Sequence, residues 1–321
     1  VYKIQTTTIY LENMKKIALV LAVALSSAAS FAQINKGELK QLQNFLSQPA
    51  KEAATNAEAL RITNIKDPST WEGVTVTGNR VTKIDWKDKK LAGTLDLSGF
   101  TALTSVDVSR NALTAVTVKG DAALNELNAS RNKLTEINLE GATSLVKLSI
   151  NNNRLTEFTL EGTPIIKSIN VASNLLASLD LNASPTLETL NCQSNHLENL
   201  SVANCTALKN LYCGYNKLTN LDLVGVVKLQ NLNLDDNQIS GMIVSGLPSL
   251  ATFVCSDNRM KTLGMRDCNA LMDVVCSYND LTTFDVSNCP NIIFVDCSYN
   301  DLSTLNPVSY THLRAHETVL D

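Results

Sequence analysis

Histidine is scarce in this 321-residue chain: there are three. Two of them, His312 and His316, fall in a C-terminal stretch set aside below, which leaves His196 alone. No Ser or Cys nucleophile with an acidic orienter can be placed around His196 from the spacing of the chain, so it is expected to be a solvated loop residue and the protein not to be an enzyme. No Cys-x-x-Cys pair occurs, so no metal centre or cofactor is expected. Basic excess is also missing. The 27 Lys and Arg are outnumbered by 31 Asp and Glu, and nucleic acid is a poor candidate partner. A long apolar run is absent too, since Ile17 to Leu25 holds nine residues where a membrane-spanning helix needs about twenty.

That short run belongs to a targeting signal. Met14, Lys15 and Lys16 make a basic start, and small residues from Ser26 end in Ser30-Phe31-Ala32 before Gln33. Residues 14–32 therefore read as a signal peptide. Residues 1–13 precede the start Met and read as non-native upstream read-through. At the other end, VSYTHLRAHET at 308–318 resembles the translation of a transposase-type sequencing-library adaptor, so 307–321 is expected to be foreign and native sequence to end at Asn306. The remaining chain carries a net charge of −5, with 23 basic and 28 acidic residues. The protein is expected to be exported, extracellular or at the cell surface, with no membrane insertion of the mature chain.

What is abundant is a repeat. Asn111, Asn132, Asn153, Asn174, Asn195, Asn216, Asn237, Asn258, Asn279 and Asn300 follow one another at steps of 21. In the same register apolar residues fall at repeat positions one, four, six, eleven, fourteen and sixteen, as in Leu208, Leu211, Cys213, Leu218, Leu221 and Leu223. Alternation around positions four and six is the period-two signature of a short strand. A single coil cannot bury its apolar edge, but stacked coils share a continuous core. The Asn, at position nine, lies where the chain leaves the strand. Its amide is expected to satisfy backbone groups that the turn would otherwise orphan, at about 1–3 kcal/mol each.

The segments LNELNASRNKL and LKNLYCGYNKL resemble the LxxLxLxxNxL signature of the leucine-rich-repeat family, over residues 81–305. The resemblance is to secreted or cell-surface bacterial members with short repeats, internalin-like in general character. It implies an α/β solenoid that is mostly β: a right-handed superhelix with a parallel sheet on the concave face and short or no convex helices. About eleven coils are expected within 81–306, the last incomplete. The first coil is atypical, with 22 residues and Lys89 at the Asn position.

Residues 33–80 lack the repeat and are expected to form a small helical N-terminal cap. Asn35 and Glu38 suggest a capping box, Leu39, Leu42, Phe45 and Leu46 a helical stripe, and Pro49 separates an expected second, Ala-rich helix. Trp71 is expected to cover the open end of the core. Eight Cys in an exported chain would suggest disulfides. Here Cys192, Cys213, Cys255, Cys276 and Cys297 hold position six and Cys205, Cys268 and Cys289 position nineteen, as small buried hydrophobes, and free thiols are expected.

In this family the ligand usually meets the concave face, here positions two, three, five, seven and eight. Early coils present mixed charge there, namely Lys83, Asp85, Asp107, Arg110, Glu126, Arg131 and Lys147. Later coils present Tyr212, Tyr215, Val254, Met272, Val275, Tyr278, Ile293, Phe294 and Tyr299, with Asp257, Asp273 and Asp296 among them. Aromatic and aliphatic residues gathered on an exposed sheet suit a protein partner. The Tyr residues before the Asn also fit plain repeat consensus, and Tyr beside Asp suits carbohydrate. Asp235, Asp236 and Asp257 could approach one another and hold Ca²⁺ weakly, but the loop motif of a dedicated site is missing and none is expected. Protein binding for adhesion or recognition is the expected function. A glycan-binding module, a structural spacer, and the recognition arm of an enzyme with its catalytic domain beyond residue 306 stand as alternatives.

Overall fold

The computed structural model describes residues 34–303; the expected signal peptide and the segments 1–13 and 307–321 lie outside the described residues. The repeats stack into one main sheet of twelve strands. Its first strand, Val74–Thr77, runs antiparallel to Arg80–Asp85, and the other eleven run parallel from Arg80–Asp85 to Phe294–Asp296. Register is one coil per step: Asn210, Asn231, Thr252, Asp273 and Phe294 pair in sequence at position three, as do Tyr212, Asn233, Val254, Val275 and Asp296 at position five. In nine of the main sheet's three-residue strands the middle side chain is buried. Alternation in the sequence thus becomes an inner and an outer face, and each inward Leu or Val stabilises the stack by roughly 1.5–3 kcal/mol.

The second half of each coil is also extended. It forms shorter parallel ladders, such as Ala92–Asp96 with Ala112–Thr117 and Glu136–Asn138, and Gly241–Ser245 with Thr262–Arg266 and Thr283–Ser287. Among the described residues of the repeats no helix occurs. The corner after this second ladder needs left-handed backbone. Gly162 has φ +83°, and a Cβ there would lie 2.5 Å from the Gly141 nitrogen.

The Asn column explains the period. Asn216 donates through Nδ2 to the carbonyls of Cys213 at 2.9 Å and Cys192 at 3.1 Å, and its Oδ1 accepts the Leu197 N–H at 3.0 Å. Asn132 through Asn300 repeat this set, reaching back 3, 24 and 19 residues. Asn111 makes the same bonds to Trp86 and Leu91, one residue further back, because the first coil has its extra residue. The opposite corner is served by position nineteen. There the thiols of Cys205, Cys268 and Cys289 point to the carbonyls of Leu181, Val244 and Met265, also 24 residues back. The described cysteines are all free, and burial pushes the Cys192 thiol up to about 12.

Asp121 occupies this same position nineteen in the second coil and is the exception. It is fully buried, and neither carboxyl oxygen has a hydrogen-bond partner among the described residues. The nearby Gly99 and Phe100 amides are committed to the carbonyls of Lys119 and Leu97. Burial accordingly pushes its pKa from 3.8 up to about 8, against the weaker pull of those two amides and with a small further push from Glu38 and Asp96.

The cap departs from the sequence expectation in three places. Helix α1, Lys36–Leu46, starts at Asn35, whose side chain accepts the Gly37 and Glu38 amides. Only that half of the capping box forms. Glu38 turns away to bind Arg80 Nε at 2.6 Å and the Val81 N–H at 2.9 Å, because an ion pair with the first coil satisfies a buried carboxylate better than one backbone amide does. The second helix, α2, is four residues, Asn56–Ala59. Its Asn56 and the neighbouring Gln48 instead act as a substitute strand, bonding through their amides to Ala92 and Thr94 and closing the edge of the second ladder. Trp71 is buried, but it shares the cover with Trp86 of the first coil, which stacks on Phe45 at 5.8 Å between ring centroids.

Candidate binding face

Two backbone devices place the side chains on the outer face of the main sheet. Position eight adopts left-handed backbone in ten successive coils, from Arg110 to Tyr299, with φ between 48° and 59°. Non-glycine residues seldom do so, and the conformation turns Tyr215, Tyr278 and Tyr299 outward, at 56%, 50% and 69% exposure. Position five ends each strand. In six coils it is an Asp or Asn whose side-chain oxygen takes the N–H two residues on, at 2.9–3.2 Å: Asp107, Asn128, Asn170, Asn191, Asn233 and Asp296. Tyr212, Val254 and Val275 interrupt that column with side chains unable to make the bond.

The structure brings most of the expected patch together and leaves part outside it. Val254, Asp273, Val275, Phe294 and Asp296 lie on the last three strands of the main sheet and Met272 and Ile293 immediately before two of them, with Met272, Ile293 and Phe294 exposed. Tyr278 and Tyr299 stack at 4.3 Å between centroids with an 11° interplanar angle, worth about 0.5–1.5 kcal/mol. The Tyr299 hydroxyl, and to a lesser degree Asp257 and Asp296, hold the Tyr278 phenol above its ordinary range. Tyr212 and Tyr215 stand apart from this group. The intervening coil puts Asn231, Asn233, Asp235 and Asp236 between them and Val254. Beside Met272 and Ile293 the structure adds a shallow apolar depression of about 560 Å³, reaching Ala270 and Pro290; no sequence signal marks it, because these residues belong to the loops entering the strands.

Asp235 is committed within the fold, accepting from Asn233 and from the Ser256 N–H, and burial raises its pKa. Among the described residues no cluster of three or more His, Cys, Asp or Glu could hold a metal ion. His196 is exposed. In the early coils Lys83, Asp85, Asp107, Glu126 and Lys147 line a polar groove of about 300 Å³. Further along, Glu188 bridges Lys167 and Lys209 at position two across three coils, at 3.5 and 2.7 Å.

Eleven parallel strands, one per coil, tied by a largely buried Asn column, define a leucine-rich-repeat fold. The Leucine Rich Repeat family model matches residues 228–250. Solved structures share the fold. YopM from Yersinia enterocolitica WA-314 is 25% identical with a TM-score of 0.55, covering 65% of this chain, which spans 45% of YopM. The functional domain of InlJ from Listeria monocytogenes, described as including a cysteine ladder, is 21% identical with a TM-score of 0.53, covering 82% of this chain and 71% of InlJ. The Drosophila Toll–Spatzle complex matches at 18% identity and a TM-score of 0.53, over 66% of this chain and 38% of that one. No curated protein matches the sequence. Among the described residues no helix is long and apolar enough to cross a membrane.

Proposed function

We propose that this protein is an exported recognition module that binds another protein through the outer, concave face of its main sheet. The observation that carries the reading is the replacement of the strand-ending Asp or Asn by Val at 254 and 275, beside exposed Met272, Ile293 and Phe294. Val275 gives up a turn bond worth about 0.5–1.5 kcal/mol, while after Val254 the Ser256 N–H is met instead by Asp235 of the preceding coil; both valines leave apolar surface in water, a choice that folding alone does not favour. The Toll–Spatzle complex is a leucine-rich-repeat structure with a protein partner, and supports the class of function.

A display library of folded protein fragments, selected on the full chain, tests this. Binders should lose at least tenfold in affinity for the Ile293→Ser/Phe294→Ser variant. Binders indifferent to both substitutions would remove the face from the function.

A further inference from the structure

The outer face changes its charge along the solenoid. In the first four coils, positions two, three, five, seven and eight mix both signs, with Lys83, Arg110, Arg131 and Lys147 among Asp85, Asp107 and Glu126. In the last four coils the same positions hold Asp235, Asp236, Asp257, Asp273 and Asp296 and no Lys or Arg. None of these five carboxylates has an ion-pair partner within 4.0 Å among the described residues. Elsewhere acidic side chains do find cations, as Glu188 does between Lys167 and Lys209 and Asp285 does with Arg266. The uncompensated charge therefore coincides with the apolar patch, and it flanks the Tyr278–Tyr299 pair: Asp257 stands at position eight of the coil before Tyr278, and Asp296 at position five of the coil that carries Tyr299, beside Val275.

An exposed tyrosine face attracts a cation through its ring quadrupole, and flanking carboxylates add direct attraction and a bidentate match for guanidinium. A neutral or acidic partner would leave these carboxylates desolvated without compensation. We propose that the face is built for a basic segment of a partner protein, in which Lys or Arg side chains lie over Tyr278 and Tyr299 between Asp257 and Asp296 while neighbouring apolar residues meet Val254, Val275 and Phe294. The inference rests on the concave-face reading above and gives it a partner chemistry. It also disfavours nucleic acid on this face, because phosphate would meet only carboxylates.

A random dodecapeptide display library selected on the full chain at low salt tests it. Selected sequences should be enriched in Lys and Arg together with apolar residues. A synthetic peptide made from them should bind at least tenfold more weakly to Asp257→Asn/Asp273→Asn/Asp296→Asn, and at least fivefold more weakly when salt is raised from about 0.05 to 0.3 M. Asparagine suits the left-handed backbone at 257 and keeps the Asp296 acceptor for Ser298, so the variant folds. Asp85→Asn/Glu126→Gln, in the mixed-charge coils, should leave binding unchanged. Peptides without basic enrichment that still need Phe294 would overturn the charge assignment and leave the concave-face reading standing. Peptides insensitive to both sets of substitutions, or no selected peptide at all, would count against both.

Discussion

Asp121 makes the stability of the protein depend on pH in an unusual direction. The carboxyl is buried without a partner among the described residues, and its pKa is raised from 3.8 to about 8. A carboxyl raised in the folded state holds its proton there while the unfolded chain has already released it. The stabilising contribution is therefore fully present below pH ~4, falls as pH rises between the unfolded and folded values, and is gone above pH ~8. At about 1.4 kcal/mol per unit, the loss between pH 5 and pH 8 is on the order of 4 kcal/mol. For a chain of this size that lowers Tm by on the order of 10 °C. Asp121→Asn removes the titration, and Asp121→Thr does so with a hydroxyl like that of Thr163, which donates to the Leu160 carbonyl at 2.7 Å. Thermal unfolding followed by circular dichroism at pH 5, 6, 7 and 8 measures the effect, wild type against variants. The difference should widen steadily toward pH 8. Parallel curves would refute the reasoning, since they would mean that water or a donor already compensates the carboxylate.

Other substitutions probe the remaining devices. Asn216→Ala strands the Leu197 N–H inside the stack and leaves the Cys192 and Cys213 carbonyls with one amide donor each, Asn195 and Asn237, and should cost about 2–4 kcal/mol in urea unfolding; a loss below about 1 kcal/mol would mean the column is ornamental. Trp86→Ala removes a fully buried ring stacked on Phe45 and should cost about 3–5 kcal/mol, with hydrogen exchange accelerating first in α1. Tyr278→Ala should change stability by no more than about 1.5 kcal/mol, while weakening a selected binder at least tenfold. A thiol reagent at pH 8 should label half-buried Cys297 first and reach fully buried Cys192 and Cys213 only on unfolding, read by mass spectrometry.

The repeat was legible because burial imposes it. Position four points inward in coil after coil, so its spacing cannot drift, and the occupants Val106, Leu127, Leu148 and Leu211 are all buried. The Asn column was legible for the same reason, because one side chain must meet three backbone groups at fixed offsets. The cap was less so. A four-residue α2 and the amides of Gln48 and Asn56 bonding to Ala92 and Thr94 depend on a meeting of distant segments that no local pattern records. On the candidate face, composition located the aromatic and aliphatic residues. It did not reveal that position eight is left-handed, since Arg, Ser, Asp and Tyr stand where glycine would have announced it. Nor did it separate Tyr212 and Tyr215 from the rest, which required the register across the intervening Asn231–Asn233 strand.

The reach of each Asn carries an evolutionary consequence. Its partners lie 3, 19 and 24 residues behind it, hence in its own coil and the one before, and never further. A coil duplicated or lost in whole finds the same partners at the same offsets, and every other bond in the column is left as it was. Length is thus a trait that unequal recombination between repeats can alter in one step without a compensating mutation. What such an event would change is the ruler along the outer face: the distance between the mixed-charge coils and the acidic, aromatic ones would grow or shrink by one strand spacing, about 4.8 Å, making the spacing of a partner's contacts adjustable separately from their chemistry.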